Sequence, residues 1–105
     1  MGRKGACRRR PVAPGPDQAS VQVTNNARSE VTLTAQIMGR RVRLGTLQPG
    51  RTETYFVEIR GREDVAVEIR MLGGGRCTTA PRPVSAGERI NTIVPPDLSM
   101  MPDCR

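Results

Sequence analysis

Histidine and tryptophan are absent from the 105-residue chain, and it holds one tyrosine and one phenylalanine. Without histidine neither a Ser-His nor a Cys-His dyad can form, and the most common general base of enzymes is missing. The three cysteines (Cys7, Cys77 and Cys104) lack the close pairwise spacing that is typical of zinc sites. We therefore expect a protein that is not an enzyme and that uses no metal and no cofactor.

Long apolar runs are missing as well. No segment approaches the roughly 18 to 20 apolar residues that a membrane-spanning helix needs. Residues 1–6 contain no apolar region of the kind that a secretory leader requires. Either the chain stays in the cytoplasm or its natural start lies upstream of Met1. Apolar residues also recur nowhere at helical spacing, so the core is expected to come from strands rich in Val, Ile and Leu.

Acidic residues are absent from the first ten positions, where the positive charge is concentrated. The formal net charge is +7, and Arg3, Lys4, Arg8, Arg9 and Arg10 supply five of these charges. Residues 11–105 hold 12 basic and 10 acidic side chains, a balance of only +2. A domain that binds phosphate through its folded face usually concentrates cations there. The sequence therefore predicts that the basic character belongs to the N-terminal arm.

Period-two alternation, the mark of half-buried strands, begins at Ser20. The run EVTLTAQIM, for example, places Val31, Leu33, Ala35 and Ile37 on one face. Gly39-Arg40 predicts a tight hairpin turn, and Gly45 predicts a bulge. Pro49 and Gly50 occupy the two central positions that a type II turn favours. Residues 73–87 read as a loop before a last strand.

This pattern predicts an all-β fold: a single antiparallel β-sandwich of immunoglobulin-like type with six to seven strands. A small open barrel is the alternative. Residues 1–18 are expected to form a flexible, disordered tether, because they are basic and rich in proline and glycine. Residues 19–96 are expected to form the sandwich domain, and residues 97–105 a C-terminal tail.

The strand sequences VQVTNN, LGTLQPGRTETYFV and VSAGERI resemble those of small bacterial β-sandwich domains of exported lipoproteins. The resemblance covers roughly residues 20–95. It implies a sandwich architecture and an export route, and it brings no catalytic residues. Such proteins typically start with a signal peptide that ends in a lipid-modified cysteine. Gly5-Ala6-Cys7 fits the end of that signal, whereas Lys4 stands where leucine is expected.

Cys77 and Cys104 lie outside the predicted strands, where a buried structural thiol is unusual. A disulfide between them would close a loop of 28 residues and, in the chain-entropy model, contribute roughly 3 to 4 kcal/mol. It requires an oxidising compartment. Cys7 would then be left for lipid attachment. The alternative is three unpaired thiols in a cytosolic protein.

The sequence thus predicts a non-catalytic module of the bacterial cell envelope, facing the periplasm or exported, with a protein-interaction or structural role. Its expected partners are a membrane, through a lipid anchor, and an unidentified envelope protein. Arg8, Arg9 and Arg10 are predicted to contact the anionic membrane surface. Candidate contact surfaces in the domain are the exposed strand edges, the loop at residues 73–87 and Phe56. The alternative is a basic cytoplasmic protein whose N-terminal arm binds nucleic acid non-specifically. The small number of aromatic residues argues against nucleic acid as the partner, because bases usually stack on aromatic rings.

Overall fold

A computed structural model of the protein describes residues 15–101. In this range the chain forms eight strands and one short 3₁₀ helix at Leu98–Met100. The strands are β1 (Gln18–Asn25), β2 (Val31–Ile37), β3 (Arg40–Leu47), β4 (Thr52–Glu58), β5 (Arg62–Met71), β6 (Arg76–Thr78), β7 (Arg82–Ser85) and β8 (Arg89–Val94). Among the described residues, no helix has the length and apolar character needed to cross a bilayer.

The strands form two sheets that enclose one hydrophobic core. The smaller sheet has the order β4-β1-β8, and the larger has the order β3-β2-β5-β6, with β7 also paired to β5. The predicted all-β class and the two-sheet, sandwich-like arrangement are confirmed. Alternation explains the packing, because successive side chains of a strand point to opposite faces. In β2, for example, Val31, Leu33, Ala35 and Ile37 are all buried, as predicted.

Two predictions about the strands are corrected. The sandwich is not purely antiparallel, because β1 and β8 pair in parallel, with Val21 opposite Ile90. The stretch at residues 73–87 is not a continuous loop, since it contains β6 and β7, which both pair with β5. These two short strands bring the number in the described range to eight instead of six to seven.

The turns predicted at residues 39–40 and 48–51 are present, the first with a shift of one residue. A turn expected at residues 61–64 is not, because Arg62, Glu63 and Asp64 belong to β5 and pair with β7. Residues 38 and 39 are the two central residues of the β2–β3 hairpin, and both have a positive φ, which is typical of a type I′ turn. The turn therefore begins one residue earlier than predicted. The register of β2 and β3 shifts beside Leu33, which pairs with Gly45. This irregularity confirms the predicted bulge. Gly50 has φ 77° and the amide of Arg51 donates a hydrogen bond to Gln48, as a type II turn requires.

Asn25, the last residue of β1, joins three parts of the fold although it is fully buried. Its side-chain nitrogen donates hydrogen bonds to the carbonyl of Ser29 at 2.9 Å and to that of Leu47 at 3.0 Å. Its side-chain oxygen accepts a hydrogen bond from the amide of Ala27 at 2.9 Å. The amide of Gly50 donates to its backbone carbonyl. One side chain thus links the end of β1, the loop before β2 and the end of β3.

Candidate functional site

Most residues that the sequence singled out for function lie outside the described range. These are the predicted lipid-attachment residue Cys7, the predicted membrane contacts Arg8, Arg9 and Arg10, and the proposed disulfide partner Cys104. Their roles stay predictions. Cys77 is described, and it lies in β6 rather than in a loop.

The side chain of Cys77 is fully buried and packs into the core opposite Ile69. Its sulfur lies 3.8 Å from the sulfur of Met101. The C-terminal end of the described range therefore lies beside Cys77. Cys104 follows Met101 by three residues in the sequence. Three residues of fully extended chain reach at most about 10 Å.

Phe56 and Tyr55 lie on opposite faces of β4, as alternation predicts. Phe56 is half-buried on the outer face of the smaller sheet, opposite Ser20. Tyr55 packs against the core, and its ring lies about 3.5 Å from the position that a Cβ atom would take at Gly45. Burial, helped by the negative charge of Glu53, raises the pKa of the Tyr55 hydroxyl above its usual value of 10.0. Because Phe56 is half-buried, part of its side chain already contacts the domain itself and is not available to a partner.

The outer surface of the larger sheet carries a cluster of arginines that the sequence analysis missed. Strand alternation places them on the side opposite the core, on β3, β5 and β6. We call this surface the arginine face; its charged residues are Arg41, Arg43, Glu68, Arg70 and Arg76. Thr32 and Thr34 of β2 lie among them and, with Arg41, Arg43, Glu68 and Arg70, line a depression of about 190 Å³.

Glu68 is the acidic residue that contacts the arginines of the arginine face, and it is 5% exposed. Arg41 donates a hydrogen bond to one of its carboxylate oxygens. Arg70 and Arg76 lie 3.7 Å and 4.0 Å from the other oxygen. Three guanidinium groups thus converge on one buried carboxylate, while each remains more than half exposed. The carboxylate holds these cations in place and cancels only part of their charge.

Arg41, Arg43, Glu68, Arg70 and Arg76 together carry a net charge of +3. Glu30 precedes β2 on the same outer side as Thr32 and lies opposite Leu72, so with it the balance of this surface is +2. Farther along β5, Arg62 and Asp64 share the same side of the strand and cancel each other. On the outer face of the smaller sheet, Arg89 and Glu58 also have opposite charges. Apart from Glu30 and the arginine face, residues 15–101 hold seven arginines and seven acidic side chains, so the excess positive charge of the described range lies on this part of the larger sheet.

The β5–β6 hairpin closes one end of the arginine face and exposes a large apolar side chain. Leu72, directly after β5, is 76% exposed. It lines an open depression together with Arg70 and Arg76. The amide of Leu72 donates a hydrogen bond to the carbonyl of Glu30 at 2.9 Å, and that of Gly74 donates to Met71. These hydrogen bonds fix the backbone of the hairpin, and the leucine side chain lies beside the two arginines in the shared depression.

A second cavity, of about 150 Å³, lies between β5 and β8. Val65, Val67, Ile90 and Met101 contribute apolar atoms to it, and Thr79 and Thr92 contribute hydroxyl groups. No histidine exists in the chain, and among residues 15–101 no group of three acidic or cysteine side chains is placed to hold a metal ion. Arg82 also lines this cavity, which therefore offers a small surface of mixed polarity.

Comparison with known proteins gives no assignment. No protein-family model matches the chain, and neither a curated protein nor a solved structure matches it at a significant level.

Proposed function

We propose that this chain is a non-catalytic, immunoglobulin-like β-sandwich module of the bacterial cell envelope. In this proposal Cys7 carries a lipid that anchors the protein to the membrane, and Arg8, Arg9 and Arg10 contact anionic head groups. The domain then serves a protein-interaction or structural role on the periplasmic or external side. The two sheets of three and five strands, which enclose one core, support the sandwich part of the proposal.

The geometry around Cys77 carries the export part of this proposal. The chain returns to within 3.8 Å of its sulfur at Met101, three residues before Cys104. Formation of a Cys77–Cys104 disulfide needs an oxidising compartment such as the periplasm. The pairing would also fix the C-terminal segment to β6, which has only three residues to hold it to β5. A covalent link at this point suits a small domain, since its core alone supplies little stability.

The decisive experiment is the intact mass, measured without reductant, of the native protein from membrane and soluble fractions of its host. The proposal expects membrane recovery, loss of the residues before Cys7, a diacylglycerol adduct on Cys7, and a mass two hydrogens lower for the oxidised Cys77–Cys104 pair. A fully reduced, unmodified chain that starts at Met1 or Gly2 in the cytosol would overturn it. The basic cytoplasmic alternative would then be tested by nucleic-acid binding.

A further inference from the structure

The arginine face has the charge and the shape to meet a planar array of anions. Arg41 and Arg43 lie two residues apart along β3, whereas Arg70 and Arg76 face each other across β5 and β6. Strands in a sheet are about 4.7 to 4.9 Å apart, so β3 and β6 are separated by about 14 Å. The four cations are therefore spread in two dimensions on one sheet surface. A guanidinium group also matches a phosphate group better than an ammonium does, because it donates two parallel hydrogen bonds.

We propose that the arginine face, with Leu72 at its end, docks the domain onto an anionic phospholipid bilayer. The phosphate groups of the lipids would bind the guanidinium groups, and Leu72 would enter the head-group region beside Arg70 and Arg76. Charge complementarity favours an anionic surface as the partner. Because the four arginines are spread in two dimensions, they fit a planar array of phosphate groups better than a single line of them. This inference rests on the proposed function in one respect: the membrane is the one to which Cys7 would be attached.

Two observations favour a bilayer over nucleic acid. The only aromatic residues of the chain, Tyr55 and Phe56, both lie on β4 of the other sheet, so no ring is available for base stacking on the arginine face. The charged backbone of a phosphodiester strand offers no apolar surface for the side chain of Leu72 to contact. An exposed apolar side chain beside cations suits an anionic membrane surface, because buried apolar area and electrostatic attraction both strengthen binding there.

Glu68 gives the proposal a distinctive signature. Its buried carboxylate binds the same guanidinium groups that would bind lipid phosphates. Glu68→Gln keeps the size of the side chain and removes the negative charge that the guanidinium groups contact. This variant should therefore bind anionic vesicles more tightly than the wild-type chain, by about fivefold if one charge acts near the surface. A purely structural role for the cluster predicts no gain.

The test is co-sedimentation of the full chain, without lipid on Cys7, with vesicles of phosphatidylcholine that contain phosphatidylglycerol. Replacement of Arg41, Arg43 and Arg70 by glutamine should lower the affinity at low salt by roughly 100-fold, about fivefold for each arginine. The matched control replaces Arg51, Arg60 and Arg89, which lie off the face, and has the same total charge. It should lose far less affinity, since distant charges are screened. Leu72→Asn should weaken binding roughly tenfold and leave its salt dependence unchanged.

Equal losses in the two triple variants, or equal binding to vesicles of phosphatidylcholine alone, would overturn the proposal. So would a face variant that loses affinity for a single-stranded oligonucleotide but not for vesicles, because the face would then serve nucleic acid. Circular dichroism shows whether each variant is folded. If the triple variant of the face does not fold, the vesicle affinities of Glu68→Gln and Leu72→Asn test the proposal instead. Because the chain carries no lipid in this assay, failure here leaves the anchor at Cys7 untouched, and the native mass tests that anchor separately.

Discussion

Replacement of Asn25 by alanine should destabilise the domain more than almost any other single polar change. The substitution removes three hydrogen bonds and leaves the amide of Ala27 and the carbonyl of Leu47 buried without their partner. A net loss of about 1 to 1.5 kcal/mol for each bond gives an expected decrease of about 3 to 4 kcal/mol in the free energy of unfolding. Small domains have only about 5 to 15 kcal/mol in total. The melting temperature should accordingly fall by roughly 15 to 25 °C.

The matched control is Asn26→Ala, one residue along the chain. Asn26 is exposed, and its backbone amide donates to the carbonyl of Val94, a bond that alanine retains. Its free energy of unfolding should change by less than about 0.5 kcal/mol. Urea unfolding of both variants, followed by far-ultraviolet circular dichroism, measures the difference. A difference below about 1 kcal/mol between them would refute the reasoning, since buried hydrogen bonds could not then be what fixes this corner.

Asn25→Asp separates the donor from the acceptor. The aspartate could still accept from Ala27, but its second oxygen would face the carbonyl groups of Ser29 and Leu47, where a donor is required. Burial and these carbonyl dipoles should raise the pKa of the new carboxyl in the folded protein. Its protonated form can donate one hydrogen bond, so this variant should gain stability as the pH falls towards acid. Asn25→Ala should show no such recovery relative to the wild-type chain.

Two further predictions concern Tyr55 and Gly50. Because Tyr55 is the only tyrosine of the chain, its phenolate absorbance titrates this residue alone: burial should place the folded midpoint above 10.0, and urea should lower it. The raised pKa implies a contribution to stability that is present below pH 10 and is lost as the pH rises through the folded pKa. Tyr55→Phe should reduce this loss. Equal titration midpoints in the folded and unfolded chains would contradict the prediction. Gly50→Ala should cost about 1 to 2 kcal/mol, because φ is +77° and no neighbour would contact the added Cβ. Gly73→Ala, whose Cβ meets Ser29 at an ordinary 3.7 Å, is the control, and an equal effect in both would show that φ at Gly50 is not the cause.

The elements that the sequence predicted correctly are those with a local physical signal. Burial of one sheet face imposes period-two alternation, and the order of apolar and polar residues in β2 displays it directly. The positive φ at Gly50 follows from the demands of a type II turn. Tyr55 and Phe56 are neighbours in a strand, so their opposite orientation was also predictable. Each of these features depends on residues that are close in sequence.

The elements that it missed depend on pairing between distant residues. β6 and β7 are only three and four residues long, and the glycines and prolines around them indicate a loop. They are strands because β5 offers a partner edge, to which Cys77 pairs opposite Ile69. The parallel pairing of β8 with β1 likewise joins residues nearly 70 positions apart, such as Val21 and Ile90. No local pattern specifies either pairing.

The arginine face shows why a count of charges along the chain can mislead. Residues 11–105 nearly balance, which argued against an anion-binding domain. Balance in sequence is compatible with separation in space, since alternation sends Arg41 and Arg43 to one side of β3 and sheet order places Arg70 and Arg76 on that same side. Glu68 is buried beneath them, so its charge is less accessible to a large partner than the charges it holds. The quantity that bears on an anionic partner is therefore the charge of each exposed face, and this depends on strand order, which the sequence alone does not specify.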